Sequence, residues 1–255
     1  MATRQNNPRA DKGRVILTAR DWSGLRFVAE MYAVRLDSLA QWFAPHCQPP
    51  LLEQSNAPNA TEERQPRRQW PSDPKKRLNN TYDIVRRWQQ VGLAQLEKPF
   101  SDAPMWCWIT KRGLEELGLP YTIGSGFPFL NTLPHFHEVN HVRLTLAWAS
   151  QNGKQIKPHT WISERTLASS PDQFYGIPTE HRPDGILQFS DGSQEAIEVE
   201  LTQKSHERLY AILSDLTSHY THIRYFATES ITSTLLEARA QLNTDQQTQI
   251  LIYRL

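Results

Sequence analysis

The apolar positions of this chain change period along its length. In "TARDWSGLRFVAEMYAV", Thr18 to Val34, they fall at Trp22, Leu25, Val28, Ala29 and Tyr32, a spacing that lines one helical face. Thr18 and Asp21 form a capping-box pair at its start. Leu36, Leu39, Ala40 and Phe43 continue as a second, shorter helix ended by Pro45. The pattern then fails from Gln48 to Lys76, a stretch with six prolines, which reads as a long mobile insertion over 48–77. Tyr82, Val85, Trp88 and Val91 restore the helical period. They predict a third helix capped by Asn80 or Thr81 and stopped by Gly92. "LAQLEKPF" and "APMWCWIT" predict a strand pair, and "ITKRGLEELGLP" a further helix.

Three helices, a hairpin and a helix follow the order of a winged helix-turn-helix, in which the third helix enters the DNA major groove. Charge supports that assignment. Residues 64–87 hold eight Lys/Arg against Asp73 and Asp83, a cluster suited to phosphate contacts. The expected DNA-binding residues are Arg67, Arg68, Lys75, Lys76, Arg77, Thr81, Tyr82, Arg86, Arg87 and Gln90. A solvated charge run accounts equally for residues 64–77, but less well for Arg86 and Arg87 on the third helix.

Beyond residue 130 the periods alternate. "HEVNHVRLTLAWAS" is helical, "HTWISERTL", "DGILQF" and "EAIEVELT" are strands, and "HERLYAILSDLTSHY" is an amphipathic helix. A strand "HIRYFAT", a helix "SITSTLLEARAQL" and a last strand "QILIYRL" complete the order expected of a mixed sheet carrying helices. The fold class is therefore α/β (α+β). The expected organisation is a disordered tail over 1–14, a DNA-binding domain over 15–123, and a second domain over 130–255.

The overall charge is +1, with 28 Lys+Arg against 27 Asp+Glu, and it is unevenly placed. Residues 1–123 hold 18 basic and 13 acidic side chains, net +5; residues 124–255 hold 10 and 14, net −4. A basic half joined to an acidic half implies two tasks. Without a long apolar run or a signal-like start, a cytoplasmic protein with no membrane partner is expected. Cys47 and Cys107 lack a pairing pattern and are expected as reduced thiols.

The acids of the second half carry its candidate chemistry. Along "EAIEVELT", Ile197, Val199 and Leu201 point one way, and Glu198 and Glu200 the other, about 7 Å apart. Asp184 opens the preceding strand. A two-residue turn at Asp191-Gly192 would put Asp184 opposite Val199, on the wrong face. A three-residue loop puts it opposite Glu198 (Ser190 to Gly192) or Glu200 (Asp191 to Ser193), and a three-residue loop is expected. Carboxylates so clustered suit Mg²⁺ or Mn²⁺ and metal-assisted phosphodiester hydrolysis. Lys204 shares their parity and is placed to stabilise developing charge. His181 and Arg182 are expected to support Asp184. His206 and Arg208 serve equally as phosphate contacts or as surface residues at a helix start. His135-Phe136-His137, with His141, fits the His-hydrophobe-His pattern of relaxases, but at a helix start it reads better as capping or surface histidines.

Pro183-Asp184 with Glu198-Val199-Glu200, on an αβββαβ order, resembles the PD-(D/E)xK nuclease superfamily, a restriction-endonuclease-like fold. The resemblance implies Asp184, Glu198 and Glu200 as catalytic carboxylates with Lys204. It implies Asp184 and Glu198 as metal ligands, with Glu138 where some members carry an extra acid. Glu200 stands where the superfamily usually has lysine. The segments "LTARDWSGLRFVAEMYAVRLDSLAQW", "TKRGLEELG", "HRPDGIL" and "IEVELTQKS" also resemble the replication-relaxation family of plasmids and mobile elements. That resemblance implies double-stranded DNA and other mobile-element proteins as partners, with self-association left open. It leaves two functions: a metal-dependent endonuclease or nickase, or a non-catalytic DNA-binding replication accessory or regulator.

Overall fold

The computed structural model describes residues 15–44, 71–122, 128–151, 157–169 and 181–255. The first helix, α1 (Ala19–Glu30), has the expected capping box: Thr18 Oγ1 accepts from the Asp21 amide, and the Asp21 carboxylate accepts from the Thr18 amide at 2.8 Å. Strand β1 (Val34–Arg35) follows, then α2 (Leu36–Trp42), α3 (Pro74–Gln90), the hairpin β2 (Ala94–Glu97) and β3 (Trp106–Ile109), and α4 (Lys111–Leu117). The three strands are ordered β1-β3-β2. The two-residue β1 is too short to leave a period in the sequence.

Helix α3 starts at Pro74, not at Asn80 or Thr81. Asp73 accepts from the Lys75 amide and Pro74 supplies a preset first turn, a stronger start than Asn-Asn-Thr. Thr81 is therefore mid-helix and fully buried, its hydroxyl donating back to the Arg77 carbonyl at 2.9 Å. The insertion expected over 48–77 is corrected at its end, since Ser72 to Arg77 build the start of this helix. Its remainder, with Arg67 and Arg68, lies outside the described residues, as does the tail over 1–14.

The second half contains α5 (Leu133–Gln151), β4 (His159–Ser163), α6 (Glu164–Ser169), β5 (Gly185–Phe189), β6 (Gln194–Glu200), α7 (His206–His219), β7 (His222–Ala227), α8 (Glu229–Ala240), α9 (Thr244–Gln249) and β8 (Ile250–Arg254). The strands form one mixed sheet in the order β4-β5-β6-β7-β8. The β4-β5 and β5-β6 pairs are antiparallel; β6-β7 and β7-β8 are parallel. This is the mixed α/β architecture that the periods implied.

Strand β6 is central, and both of its faces are covered. Ile197 and Val199 join the core that contains Val139, Val142 and Leu146 of α5. Ala196, with Ile223 and Tyr225 of β7, packs on Leu209, Leu213 and Leu216 of α7. The carboxylates that alternate with Ile197 and Val199 are thus not solvent-facing.

The two halves share this packing. Arg143 of α5 bonds Glu30 at 2.7 Å and lies over the rings of Phe27 and Trp42. Arg165 of α6 donates to the carbonyls of Ala29 (2.7 Å) and Thr122 (2.8 Å). Among the described residues, no helix is long and apolar enough to cross a membrane.

Candidate active site

The hairpin between β5 and β6 sets the site. The Phe189 amide donates to the Ser193 carbonyl at 3.0 Å, the Gly192 amide to the Phe189 carbonyl at 3.1 Å, and Gly192 has φ +84°. The loop is therefore Ser190 to Gly192, with glycine in the left-handed conformation. Gly185 pairs with Ile197 and Ile186 with Ala196. Continuing that register by one step sets Asp184 across from Glu198, the first of the two three-residue alternatives.

At this position the ladder between the strands ends, and the Asp184 side chain takes over. Its Oδ2 accepts from the Val199 amide at 2.8 Å, and its Oδ1 accepts from His135 Nε2 at 2.8 Å. Glu198 is 6% exposed and accepts from His181 Nε2 at 3.1 Å. Burial pushes the Glu198 carboxyl up to about 7; His181 opposes the rise and the Asp184 charge adds to it. Burial pulls both histidines down, but their carboxylate partners prevail and the net direction is up. As it stands, the site holds two carboxylate–imidazole pairs.

Glu200 is 5% exposed. Its Oε1 accepts from the Thr202 amide (3.1 Å) and hydroxyl (2.9 Å), and its other oxygen pairs with Lys204. Lys204 is held below its ordinary value by burial, against the upward pull of the Glu198 and Asp184 charges. The ammonium of Lys204, four residues downstream, is thus anchored on the Glu200 carboxylate.

Glu138 lies one turn beyond His135 and sits 3.7 Å from His141. The acid beside Asp184 is instead Glu164, at the start of α6. Ser163 pairs with Gly185, which brings the Glu164 amide to the Asp184 carbonyl at 3.3 Å. Burial, then the Asp184 charge, raises the Glu164 carboxyl. Its signal in the sequence was faint: an acid following a strand, significant only once that strand is paired with the one after Asp184. His135 was also read as a capping or surface residue, and it contacts Asp184 across 49 positions of chain. His137 serves elsewhere, edge-on to Trp106 at 6.3 Å, so the two histidines do not form a relaxase-type pair.

The Asp184 charge adds to the proton affinity of both Glu164 and Glu198, a repulsion that a cation near Asp184 relieves. Among the described residues no three His/Cys/Asp/Glu groups form a ready-made metal cage. The donor set fits a hard ion such as Mg²⁺, which keeps several waters and takes one or two carboxylates plus substrate oxygens.

On the basic half, Lys75, Lys76, Arg86 and Gln90 are exposed along α3, and Arg86 lies over the Tyr82 ring at 5.7 Å. Arg77 bonds the Ser72 carbonyl at 2.9 Å. One expected contact is corrected: Thr81 is buried on the packed face of α3. Arg87 is half-exposed and tied to the buried Asp21 at 3.0 Å, where the Trp88 indole also donates at 2.9 Å. No protein-family model, curated protein or solved structure matches the chain.

Proposed function

We propose that this is a DNA-binding protein of a mobile element that cuts or nicks DNA by metal-dependent phosphodiester hydrolysis. The observation that carries the reading is the hairpin register, which sets Asp184 across from the buried Glu198 at the end of two central strands. A divalent ion, Mg²⁺ or Mn²⁺, held by Asp184 and Glu198 would polarise the phosphate and lower the pKa of a bound water. His135 and His181 orient the two carboxylates. Glu164 takes the third acidic position. Lys204, aimed by Glu200, stabilises charge that develops on the phosphate.

DNA is held by the basic half. Its three helices α1 to α3 and its β1-β3-β2 sheet support a winged-helix reading. Lys75, Lys76, Arg77, Tyr82, Arg86, Arg87 and Gln90 are the contacts available on α3. The α5-β4-α6-β5-β6-α7-β7 order, which is αβββαβ apart from the short α6, and the central acids support a nuclease-like reading of the acidic half, and the resemblance to the replication-relaxation family supports a role in plasmid replication or relaxation.

The second reading is a non-enzymatic DNA-binding accessory or regulator. It is favoured by the pairing of Asp184, Glu198 and Glu200 with His135, His181 and Lys204, which gives each acid a side-chain partner without any ion. Supercoiled plasmid incubated with Mg²⁺ or Mn²⁺ separates the two. Nicking by the wild type that is lost in Asp184→Ala and Glu198→Ala establishes the first; intact DNA with tight, salt-sensitive binding establishes the second.

A further inference from the structure

The two halves meet at a shallow pocket that neither builds alone. Its walls include Glu30 and Tyr32 from the turn after α1, His135 and Phe136 from α5, and Glu164 and Asp184 from the acid site. Tyr32 is the unusual member. Its φ is +61°, at the position just past a helix end where glycine usually sits. A bulky residue in that conformation is strained, and such strain persists where the surroundings over-determine it, often at functional sites.

The surroundings here come from the acidic half. Phe136 stacks on the Tyr32 ring at 5.3 Å with a 13° interplanar angle, and the Arg165 guanidinium lies 5.0 Å from the ring centre. Arg165 also holds the carbonyl of Ala29 at 2.7 Å, and Asn140 holds that of Ala33 at 3.0 Å. The ring and the backbone on either side of it are therefore clamped. The hydroxyl has no hydrogen-bond partner among the described residues. Burial, then the Glu164 charge, pushes it up to about 12, so at neutral pH it keeps a proton to donate.

Of the other donors in the pocket, His135 Nε2 is bonded to Asp184, and the Ser163 hydroxyl to Thr166 at 2.9 Å. Glu30, Glu164 and Asp184 repel an anion. A DNA phosphate approaching Asp184 meets the Tyr32 hydroxyl and the field of Arg182, whose charge reaches both Tyr32 and Glu164.

We propose that Tyr32 is a substrate-contacting residue, lent by the basic half to the acid site, whose hydroxyl donates to a non-bridging oxygen of a DNA phosphate beside Asp184. The proposal rests on the reading of the acid site as one for DNA phosphodiesters and adds a donor that couples the two halves.

The full-length protein and Tyr32→Phe are titrated calorimetrically with 5′-phosphorylated dithymidylate in Ca²⁺. Their melting temperatures and Mn²⁺-dependent plasmid nicking are measured in parallel. Because phenylalanine keeps the stacked ring, the melting temperature is expected to stay unchanged while dinucleotide affinity falls about tenfold, the effect of losing one hydrogen bond of about 1.4 kcal/mol. Wild-type affinity in Tyr32→Phe, or no dinucleotide binding by the wild type, overturns the proposal. A detergent-stable link between Tyr32 and a DNA end also overturns it, by making the tyrosine a nucleophile. Binding that weakens in Tyr32→Phe without nicking by either protein supports the contact and removes the cleavage reading.

Discussion

Gly185 follows the site aspartate, and packing requires it to be a glycine. A Cβ added there would lie 2.2 Å from Trp161 Cζ2 and 2.6 Å from two further ring atoms. Real side chains do not approach so closely, so Gly185→Ala must displace the indole or the strand. Gly185 is buried, and its neighbour across β4 is Ser163. Overpacking of this kind costs about 1–3 kcal/mol. For a chain of this size that is a fall in Tm of roughly 2–12 °C, at about 2–4 °C per kcal/mol. Displacing the Trp161 strand also moves Ser163 and Glu164 away from Asp184, so nicking is expected to fall by more than the lost stability explains. Calorimetry on Gly185→Ala, Trp161→Leu and the double variant measures the coupling. If the clash is the cause, leucine makes room and the alanine costs less in the Trp161→Leu background by about 1 kcal/mol or more. Equal costs in both backgrounds would refute the steric argument.

Asp21 is fully buried and accepts from the Thr18 amide and hydroxyl, Arg87 and Trp88. Asp21→Ala is expected to cost about 2–4 kcal/mol, from the lost cap and an orphaned buried indole, whereas Arg87→Ala, which leaves the buried carboxylate its Thr18 and Trp88 donors, costs less, about 1–2 kcal/mol; urea melts of both check the ranking. Glu198 is raised on folding, so between the carboxylate range and about 7 the folded state binds more protons than the unfolded one. Stability then falls as pH rises through that window. His135 and His181, also raised, act in the same direction over their own range, so denaturation midpoints should be lower at pH 8 than at pH 5, with a smaller gap in Glu198→Gln; a wild type more stable at pH 8 would refute this. Lys204→Ala is expected to reduce nicking about 10²-fold or more, as for other groups that stabilise developing charge, while Glu200→Gln, which leaves the ammonium in place, costs far less; equal losses would place Glu200 itself at the reaction. Arg86→Ala should weaken DNA binding across sequences and reduce the salt slope by about 1, measured by fluorescence anisotropy between low and physiological salt.

Much of this protein follows from local rules that the sequence states directly. Alternation along "EAIEVELT" separates Glu198 and Glu200 from Ile197 and Val199, and turn stereochemistry demands a three-residue loop that leaves Asp184 across from Glu198 or Glu200; the left-handed Gly192 ending the Ser190-Asp191-Gly192 loop selects Glu198. The Thr18–Asp21 box and the stop at Gly92 are equally local. Such features depend on neighbours in sequence, where periodicity and turn stereochemistry act. The start of α3 misled for the same reason: Asn80 and Thr81 satisfy the local capping rule, but Asp73-Pro74 satisfies it earlier.

Only the tertiary structure decided the rest. Burial of β6 on both faces comes from its central place between β5 and β7, which raises Glu198 and ties the acids to His135, His181 and Lys204. Glu164 and His135 reach Asp184 through strand pairing and helix docking, contacts between positions far apart in the chain. Tyr32 enters the pocket because Arg165 and Asn140 grip the turn around it, at a cost in backbone strain that no local pattern encodes. Periodicity assigns a residue to a face, but it does not say what will be packed against that face, and the chemistry of these acids depends on that packing.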